Sequence, residues 1–326
     1  MSSRKRVAVV VASHKHHPSL EFCLTGIQQI LDHPGDLIFV NNGSTDDTGG
    51  WAHNHFPGIT KVHLDHNTLF CGGYNAGIRV AMEKGYDFVL ILNADTEVMN
   101  PGFLAELLAA ADRWPRSAFI GPLVYWRSEN VVQQTCLQFP KVSRNILTWL
   151  PWRIARSRCE RQPRVEREVQ FLNGVCVLCR ISALREIGLM DEIFGGYVED
   201  ADWSWRAREK GWKSVFAPVP SVIHHEEPIG YEPYSIKTFL LKRNTVLWYL
   251  KIGWQTSAFA YALAAMGLAW ARMMLETSKN DRKKHRYFVD RLYKAYRGLL
   301  RGDSLGSWFG PPLDTLPGKV TVKDRI

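Results

Sequence analysis

The stretch DFVLILNAD, residues 87–95, decides the fold: an apolar run of five residues enters a polar turn that ends in a carboxylate. A short run rich in branched residues is a strand buried on both faces, the kind found in sheets covered by helices. The surrounding sequence repeats the pattern. RVAVVVAS (6–13), DLIFVNN (36–42) and SAFIGPLVY (117–125) read as further strands. SLEFCLTGIQQILDH (19–33) and PGFLAELLAAADRW (101–114) read as amphipathic helices, and CGGYNAGIRVAMEKG (71–85) as a loop leading into a helix. This alternation predicts an α/β protein with a mainly parallel, doubly wound sheet flanked by helices. Ligands of such sheets bind beyond the carboxyl ends of strands, where NNGSTDD (41–47) and NADTE (93–97) fall.

A chain of 326 residues with 46% hydrophobic content makes one large or two ordinary domains and is not disordered. Its net charge of +9 points to anionic partners: nucleic acid, sugar nucleotides or an acidic membrane surface. Cys23, Cys71, Cys136 and Cys159 show no metal-type spacing. Cys176 and Cys179 lie in FLNGVCVLCR (171–180), which reads as one strand, so an offset of three sends them to opposite faces as buried core residues. A reducing, cytosolic compartment fits this usage. The N-terminal MSSRKRVAVVVAS has only a short apolar run and is read as a first strand, not a signal peptide.

Between 126 and 168 the chain carries Arg153, Arg156, Arg158, Arg161, Arg164 and Arg167, just after Trp149 and Trp152. Both a solvated segment and a surface for anionic lipid or a charged acceptor are open readings. From 252 to 271 there is no charge, and Trp254 and Trp270 stand near the ends. Its alanine content and the polar Gln255, Thr256 and Ser257 favour a helix packed on the domain or lying in a membrane surface over one that spans. Residues 279–301 are basic, with Tyr287, Phe288, Tyr293 and Tyr296 interleaved, which suits an anionic leaflet. No nucleic-acid motif accompanies them, so nucleic acid is not an expected partner. The expected division is a domain at 1–250 and a helical, basic extension at 251–326, placing the protein at the cytoplasmic face of a membrane as a peripheral protein.

Four segments carry chemistry. Asp95 and Glu97 follow an apolar strand; Asp95 can hold a hard cation such as Mg²⁺ or Mn²⁺ with Asn93 supporting the loop, or the pair forms an ordinary polar turn. In NTLFCGGYNAGI (67–78), Gly72, Gly73 and Gly77 allow close backbone approach to an anion, or only a tight turn. GGYVEDADWSWRAREKGW (195–212) packs Glu199, Asp200 and Asp202 together, a costly cluster unless a cation, an arginine or a shared proton compensates. A helix start accounts for Asp202 and Glu199. The nearby Tyr197, Trp203 and Trp205 suit a sugar ring, whose hydroxyls the carboxylates would take. In VIHHEE (222–227), His224 ends a strand and either completes a cation site or is structural.

Taken in order, VVVASHKH, FVNNGSTDDT, HNTLFCGGYNAGI, LILNADT, FLNGVCVLCR, GLMDEIFGGYVEDADWSWRAREKGW, VIHHEE and LLKRNTVLWYL resemble family 2 glycosyltransferases of GT-A fold, especially the rhamnosyltransferase-like branch. The resemblance covers about residues 6–250 and implies a GT-A mixed sheet and a metal-dependent, inverting transfer from a nucleoside-diphosphate sugar. It places Ser13 and His14 at the nucleotide, Asn41 where the family usually has a base-reading aspartate, and Gly73 and Asn75 beside the nucleotide. Asn93, Ala94 and Asp95 match the D-x-D-like metal segment, Asp200 matches the catalytic base, and His224 matches a histidine that helps to bind metal or diphosphate. The implied donor is thymidine-diphosphate rhamnose, then uridine-diphosphate sugars, and the implied acceptor a glycan or lipid-linked sugar in cell-surface polysaccharide synthesis. The alternative is a non-catalytic sugar-nucleotide or glycan binding protein on the same fold.

Overall fold

The computed structural model describes residues 5–15, 18–127, 131–142, 162–225 and 235–301. The arginines 153, 156, 158 and 161, with Trp149, Trp152, Cys159, Glu226 and Glu227, lie outside the described residues.

The chain divides into two compact units between Glu232 and Pro233. The first is built in the order β1 (Val7–Ser13), α1 (Pro18–Ile30), β2 (Leu37–Asn42), α2 (Thr48–His55), β3 (Thr60–Leu64), α3 (Leu69–Glu83), β4 (Phe88–Leu92), β5 (Thr96–Val98), α4 (Phe103–Arg113) and β6 (Ser117–Trp126). It continues with β7 (Cys136–Leu137), β8 (Arg167–Val169), β9 (Phe171–Leu172), β10 (Cys176–Arg180), α5 (Ile181–Ile187), α6 (Glu199–Glu209) and β11 (Lys213–His224). The main sheet runs β3-β2-β1-β4-β10-β6-β11-β5, with β8 also on β11. Strands β3, β2, β1 and β4 are mutually parallel, β10 is antiparallel to both its neighbours, and β11 is parallel to β6. The sheet is therefore mixed. Every residue of β2 and β4 is buried, as apolar strands covered on both faces require.

FLNGVCVLCR is not one strand. The Asn173 side chain accepts the Val175 N–H at 3.0 Å, and this local turn breaks the run into β9, which pairs with β7, and β10, which enters the main sheet. Cys176 joins the large core cluster, while Cys179, also fully buried, does not belong to it. Both thiols are pushed up by burial and are free.

The glycine segment is not a loop before a helix either, because α3 begins at Leu69 and contains Gly72, Gly73 and Gly77. Close packing explains them. A Cβ at Gly77 would fall 2.4 Å from Val10 Cγ1, and one at Gly73 2.8 Å from Asn42 Nδ2. These glycines let α3 lie directly on β1 and β2.

The second unit contains α7 (Ile236–Lys251), α8 (Gln255–Leu275) and α9 (Lys279–Arg301), packed on one another. The Ser235 side chain caps α7 by accepting the Thr238 N–H. Helix α7 thus belongs with the helices after it, where the sequence places a boundary near 250. Tyr296 donates to the Lys242 carbonyl at 3.2 Å, and Phe239 meets Phe288 edge-on. Helix α8 is long and apolar enough to cross a bilayer, with mean hydropathy 1.4.

Gly77→Ala should destabilise the protein by about 1–3 kcal/mol through overpacking against Val10, read as a lower denaturant midpoint at unchanged slope. An unshifted midpoint would mean that α3 is not held against β1.

Candidate active site

One strand register builds the first half of the site. Strand β4 ends at Leu92, and after three intervening residues the chain enters β5, which pairs antiparallel with β11 so that Thr96 faces His224. Asp95 is thereby laid against the end of β11. Its carbonyl accepts the His225 N–H at 2.8 Å, and its carboxylate lies 3.2 Å from His224 Nε2. Gln133 Oε1 stands 3.0 Å from His224 Nδ1 and accepts a hydrogen bond when that nitrogen carries the proton. The buried His224 Nε2 makes no hydrogen bond. In that tautomer Nε2 presents a lone pair to the Asp95 carboxylate, a juxtaposition that a shared cation relieves, so the two fit a metal. His225 is engaged elsewhere, 2.9 Å from Glu97. Among the described residues no three His, Cys, Asp or Glu side chains converge on one point. Asp95 and His224 would supply two positions, leaving the others to water and phosphate oxygens, the usual arrangement for Mg²⁺.

The second half is the acidic start of α6. Tyr197 and Val198, immediately before it, both have left-handed backbone, with φ of 67° and 74°. This conformation is costly for any residue with a Cβ and most so for a β-branched one, so it persists only under constraint. The constraint comes from the start of α3: the Cys71 N–H donates to the Gly195 carbonyl at 3.0 Å, and Phe70 packs over both Gly174 and Gly196. Glu199 is 6% exposed, and its Oε2 has no hydrogen-bond partner. Burial pushes its carboxyl well above the usual range, and the Asp200 charge adds to this. Asp200 is half-buried and accepts the Ala201 N–H at 2.8 Å. Desolvation raises its pKa to about 7, against the lowering effect of the neighbouring backbone amides.

Helix α3 also reaches the Asp95–His224 side, because the Tyr74 hydroxyl donates to the Leu92 carbonyl at 2.9 Å and lies 3.3 Å from Asn93 Oδ1. Phe70 and Tyr74, in tilted contact with centroids 4.5 Å apart, tie the turn after β4 to the loop before α6. Neither they nor Gln133 is singled out by the sequence. An aromatic pair at i, i+4 looks like ordinary helix packing, and Gln133 lies in a segment without periodicity.

Of the remaining expected residues, Ser13, His14 and Asn41 form a third group at the ends of β1 and β2, while Asn75 lies on α3 and Asp202 and Trp203 on α6. Ser13 Oγ donates to the Lys15 carbonyl at 2.9 Å, and the exposed His14 holds the Asn42 carbonyl through Nδ1 at 3.0 Å. Asn41 is 5% exposed and uses both ends of its amide: Nδ2 lies 3.1 Å from His63 Nδ1, and Oδ1 accepts the Ser44 N–H at 3.2 Å. Asn75 is tied to the Met190 backbone in both directions and to Glu192 at 2.9 Å. Asp202 and Trp203 are placed differently from a sugar-contacting surface. Asp202 is 1% exposed and holds Arg206 at 2.8 Å, and that arginine also donates to the Ile187 and Leu189 carbonyls. Trp203 is buried, packs on Phe119 and donates to the Gly188 carbonyl at 2.8 Å. On a helix a residue two positions on faces the opposite side, so Asp202 leaves the face that Asp200 occupies, while the Trp203 indole is drawn inward by Phe119 and the Gly188 carbonyl.

A mixed sheet with its polar turns gathered at the carboxyl edge, carrying an acid–histidine pair and a desolvated carboxylate pair, defines a GT-A-type sugar transferase. Solved structures of that class share the fold. One of GalNAc-T7 with UDP, GalNAc and Mn²⁺ superposes with a TM-score of 0.58 at 13% identity, covering 92% of this chain and 57% of that one. A mannosyltransferase from Pyrobaculum calidifontis in complex with GDP-Man and Mn²⁺ superposes with a TM-score of 0.52 at 18% identity, covering 92% and 84%. Residues 8–188 match the model of glycosyl transferase family 2, and the chain belongs to that family. In sequence it is 30% identical over 271 residues to the N-acetylglucosaminyl-diphospho-decaprenol L-rhamnosyltransferase of Mycobacterium tuberculosis, covering 76% of this chain and 87% of that one. An undecaprenyl-phosphate mannosyltransferase of Micrococcus luteus is 31% identical over 108 residues, 32% of this chain and 44% of that one. The protein is a rhamnosyltransferase-like glycosyltransferase.

The raised Asp200 carries a stability signature. An acid whose folded-state pKa exceeds its unfolded value contributes stability that is full below the unfolded value of 3.8 and is lost as pH rises through about 7. Asp200→Asn should therefore be more stable than the parent above about pH 7 and lose that advantage below about pH 4, measured by denaturant midpoints. Midpoint differences that do not vary with pH would show that Asp200 is not desolvated.

Proposed function

We propose that the protein carries out a metal-assisted, inverting transfer of a sugar from a nucleoside-diphosphate donor to a lipid-linked or glycan acceptor. Thymidine-diphosphate rhamnose is the first donor, with uridine-diphosphate sugars next, and cell-surface polysaccharide is the product. The observation that carries the reading is the desolvated Asp200 at the start of α6, on the same α3 scaffold as the Asp95–His224 pair.

Asp200 is the general base. A carboxylate with its pKa near the operating pH combines a usable ionised fraction with enough basicity to take a proton from the acceptor hydroxyl as it attacks. Burial pushes the Glu199 carboxyl beside it upward, and the Asp200 charge adds to that. Deprotonating the acceptor on the side opposite the leaving group gives a single in-line displacement, which inverts the anomeric carbon. Asp95 and His224 would hold Mn²⁺ or Mg²⁺, which supplies charge neutralisation at the departing diphosphate. Ser13, His14 and the 41–47 turn lie at the ends of β1 and β2, where a nucleotide meets this kind of sheet. Gly73 and Asn75 support that edge by packing, with Asn93 holding the metal turn. Thymidine-diphosphate rhamnose is favoured by the similarity to the mycobacterial rhamnosyltransferase, whose name also states a decaprenol-linked acceptor.

Asp200→Asn should lower kcat by about 10²–10⁴-fold while leaving donor affinity within a few-fold of the parent, read by turnover and by donor titration. Full turnover in that variant would overturn the base assignment. Excess chelator should stop transfer and His224→Ala should raise the cation concentration needed for half-activity; transfer indifferent to chelator would remove the metal from the mechanism. Among sugar nucleotides with Mn²⁺, thymidine-diphosphate rhamnose should raise the melting temperature most.

A further inference from the structure

We infer that the outward face of α8 is a membrane-docking surface, laid along a bilayer that carries anionic headgroups. Helix α8 is strictly sided. Ala258, Tyr261, Ala262, Ala265 and Ala269 are buried within the unit that α7 and α9 complete. On the opposite side Phe259, Leu263, Trp270 and Met274 are 54%, 59%, 55% and 59% exposed. Spacings of four, seven and four residues put these side chains on one stripe, about 22 Å long at the rise of an α-helix. The exposed Ala260 and Gly267 continue it, and no charged residue interrupts it from Gln255 to Ala271. Soluble proteins expose large apolar side chains singly; a contiguous row marks a surface with an apolar partner.

Charge chooses the partner. The next helix, α9, exposes Lys279, Arg282, Lys283, Arg286, Arg297 and Arg301 to solvent. Its acids Asp281 and Asp290 are engaged by Lys284 and Lys294. A second copy of the chain would bring these cations against their like, whereas an anionic leaflet complements them. Trp270, Tyr287 and Tyr293 are all exposed, and such side chains favour the headgroup boundary, where one end is apolar and the other wet. A transmembrane placement fits less well. The inner side of α8 shares a small cavity with Lys242, Arg272 and His285, groups that are expensive at bilayer depth. A helix with one apolar face and one face committed to its own unit lies in the interface plane.

The test uses the full chain and sedimentation with phosphatidylcholine vesicles, with and without about one-quarter phosphatidylglycerol. The parent should bind the anionic vesicles and be released by alkaline carbonate. Leu263→Asp combined with Trp270→Ser should lower the bound fraction about tenfold or more, and Lys283→Glu with Arg286→Glu should remove the preference for anionic lipid. Melting temperatures equal to the parent's establish that the variants are folded; if the first pair is not, Phe259→Ser alone is compared in its place. Failure of the parent to bind, equal binding by the variants, or resistance to carbonate would each overturn the proposal. So would a concentration-dependent dimer that Leu263→Asp dissociates. The readout needs no turnover, so it stands or falls apart from the identity of donor and acceptor.

Discussion

The antiparallel register of β5 on the last residues of β11 is the constraint on which the site depends. It is a short pairing, from Thr96 with His224 to Val98 with Val222. A strand slip of one residue would turn every side chain to the other face, so this ladder alone decides that Asp95 meets His224. The rest of the fold makes that pairing possible. Strand β4 delivers the chain to the turn from inside a fully buried parallel core, and the long parallel contact of β6 with β11 fixes where β11 ends. The geometry of the Asp95–His224 pair is thus set by backbone hydrogen bonds, which are stiffer than any side-chain contact available at the sheet edge.

The acidic pair depends on a different kind of restraint. Glu199 and Asp200 sit at the start of a helix, where the macrodipole favours negative charge, but burial works against it. The balance leaves two carboxyls whose charged forms burial disfavours, the buried Glu199 pushed up and Asp200 beside it raised to about 7. Neither property belongs to the residue type; each follows from how far the loop before α6 is pressed inward by Phe70 and Cys71.

What could be read from the sequence depended on whether a feature was local. DFVLILNAD announces a buried strand because its run of apolar residues is its own evidence, and the same holds for the first helix and for the Asp95 turn. The GT-A architecture followed from such segments in order. FLNGVCVLCR misleads because one asparagine side chain, capturing an amide two residues on, splits an otherwise continuous strand. The glycines of α3 look like a loop because nothing in the sequence shows that Val10 and Asn42 stand where their Cβ atoms would be. Trp203 and Asp202 were legible as an aromatic and an acid near Asp200, but helical phase turns Asp202 away and Phe119 with the Gly188 carbonyl holds Trp203 in the interior. Asn41 stands in place of a carboxylate, and the partners that give its amide a structural role, His63 and Ser44, come from the neighbouring strand and turn. Gln133 had no signal at all, since its importance lies in being opposite His224.

The left-handed Tyr197 and Val198 set stability and aim against each other at a single point in the chain. Glycine at 198 would relax the backbone and remove the steric cost of a branched side chain there. It would also let the first turn of α6 swing, and with it the direction in which the Asp200 carboxyl faces. A lineage or a laboratory selection rewarded only for surviving heat would drift toward that relaxed loop and lose the aim of Asp200 without losing the fold. The branched residue at 198 works as a spring held under load, and the Asp200 carboxyl is mounted on its free end.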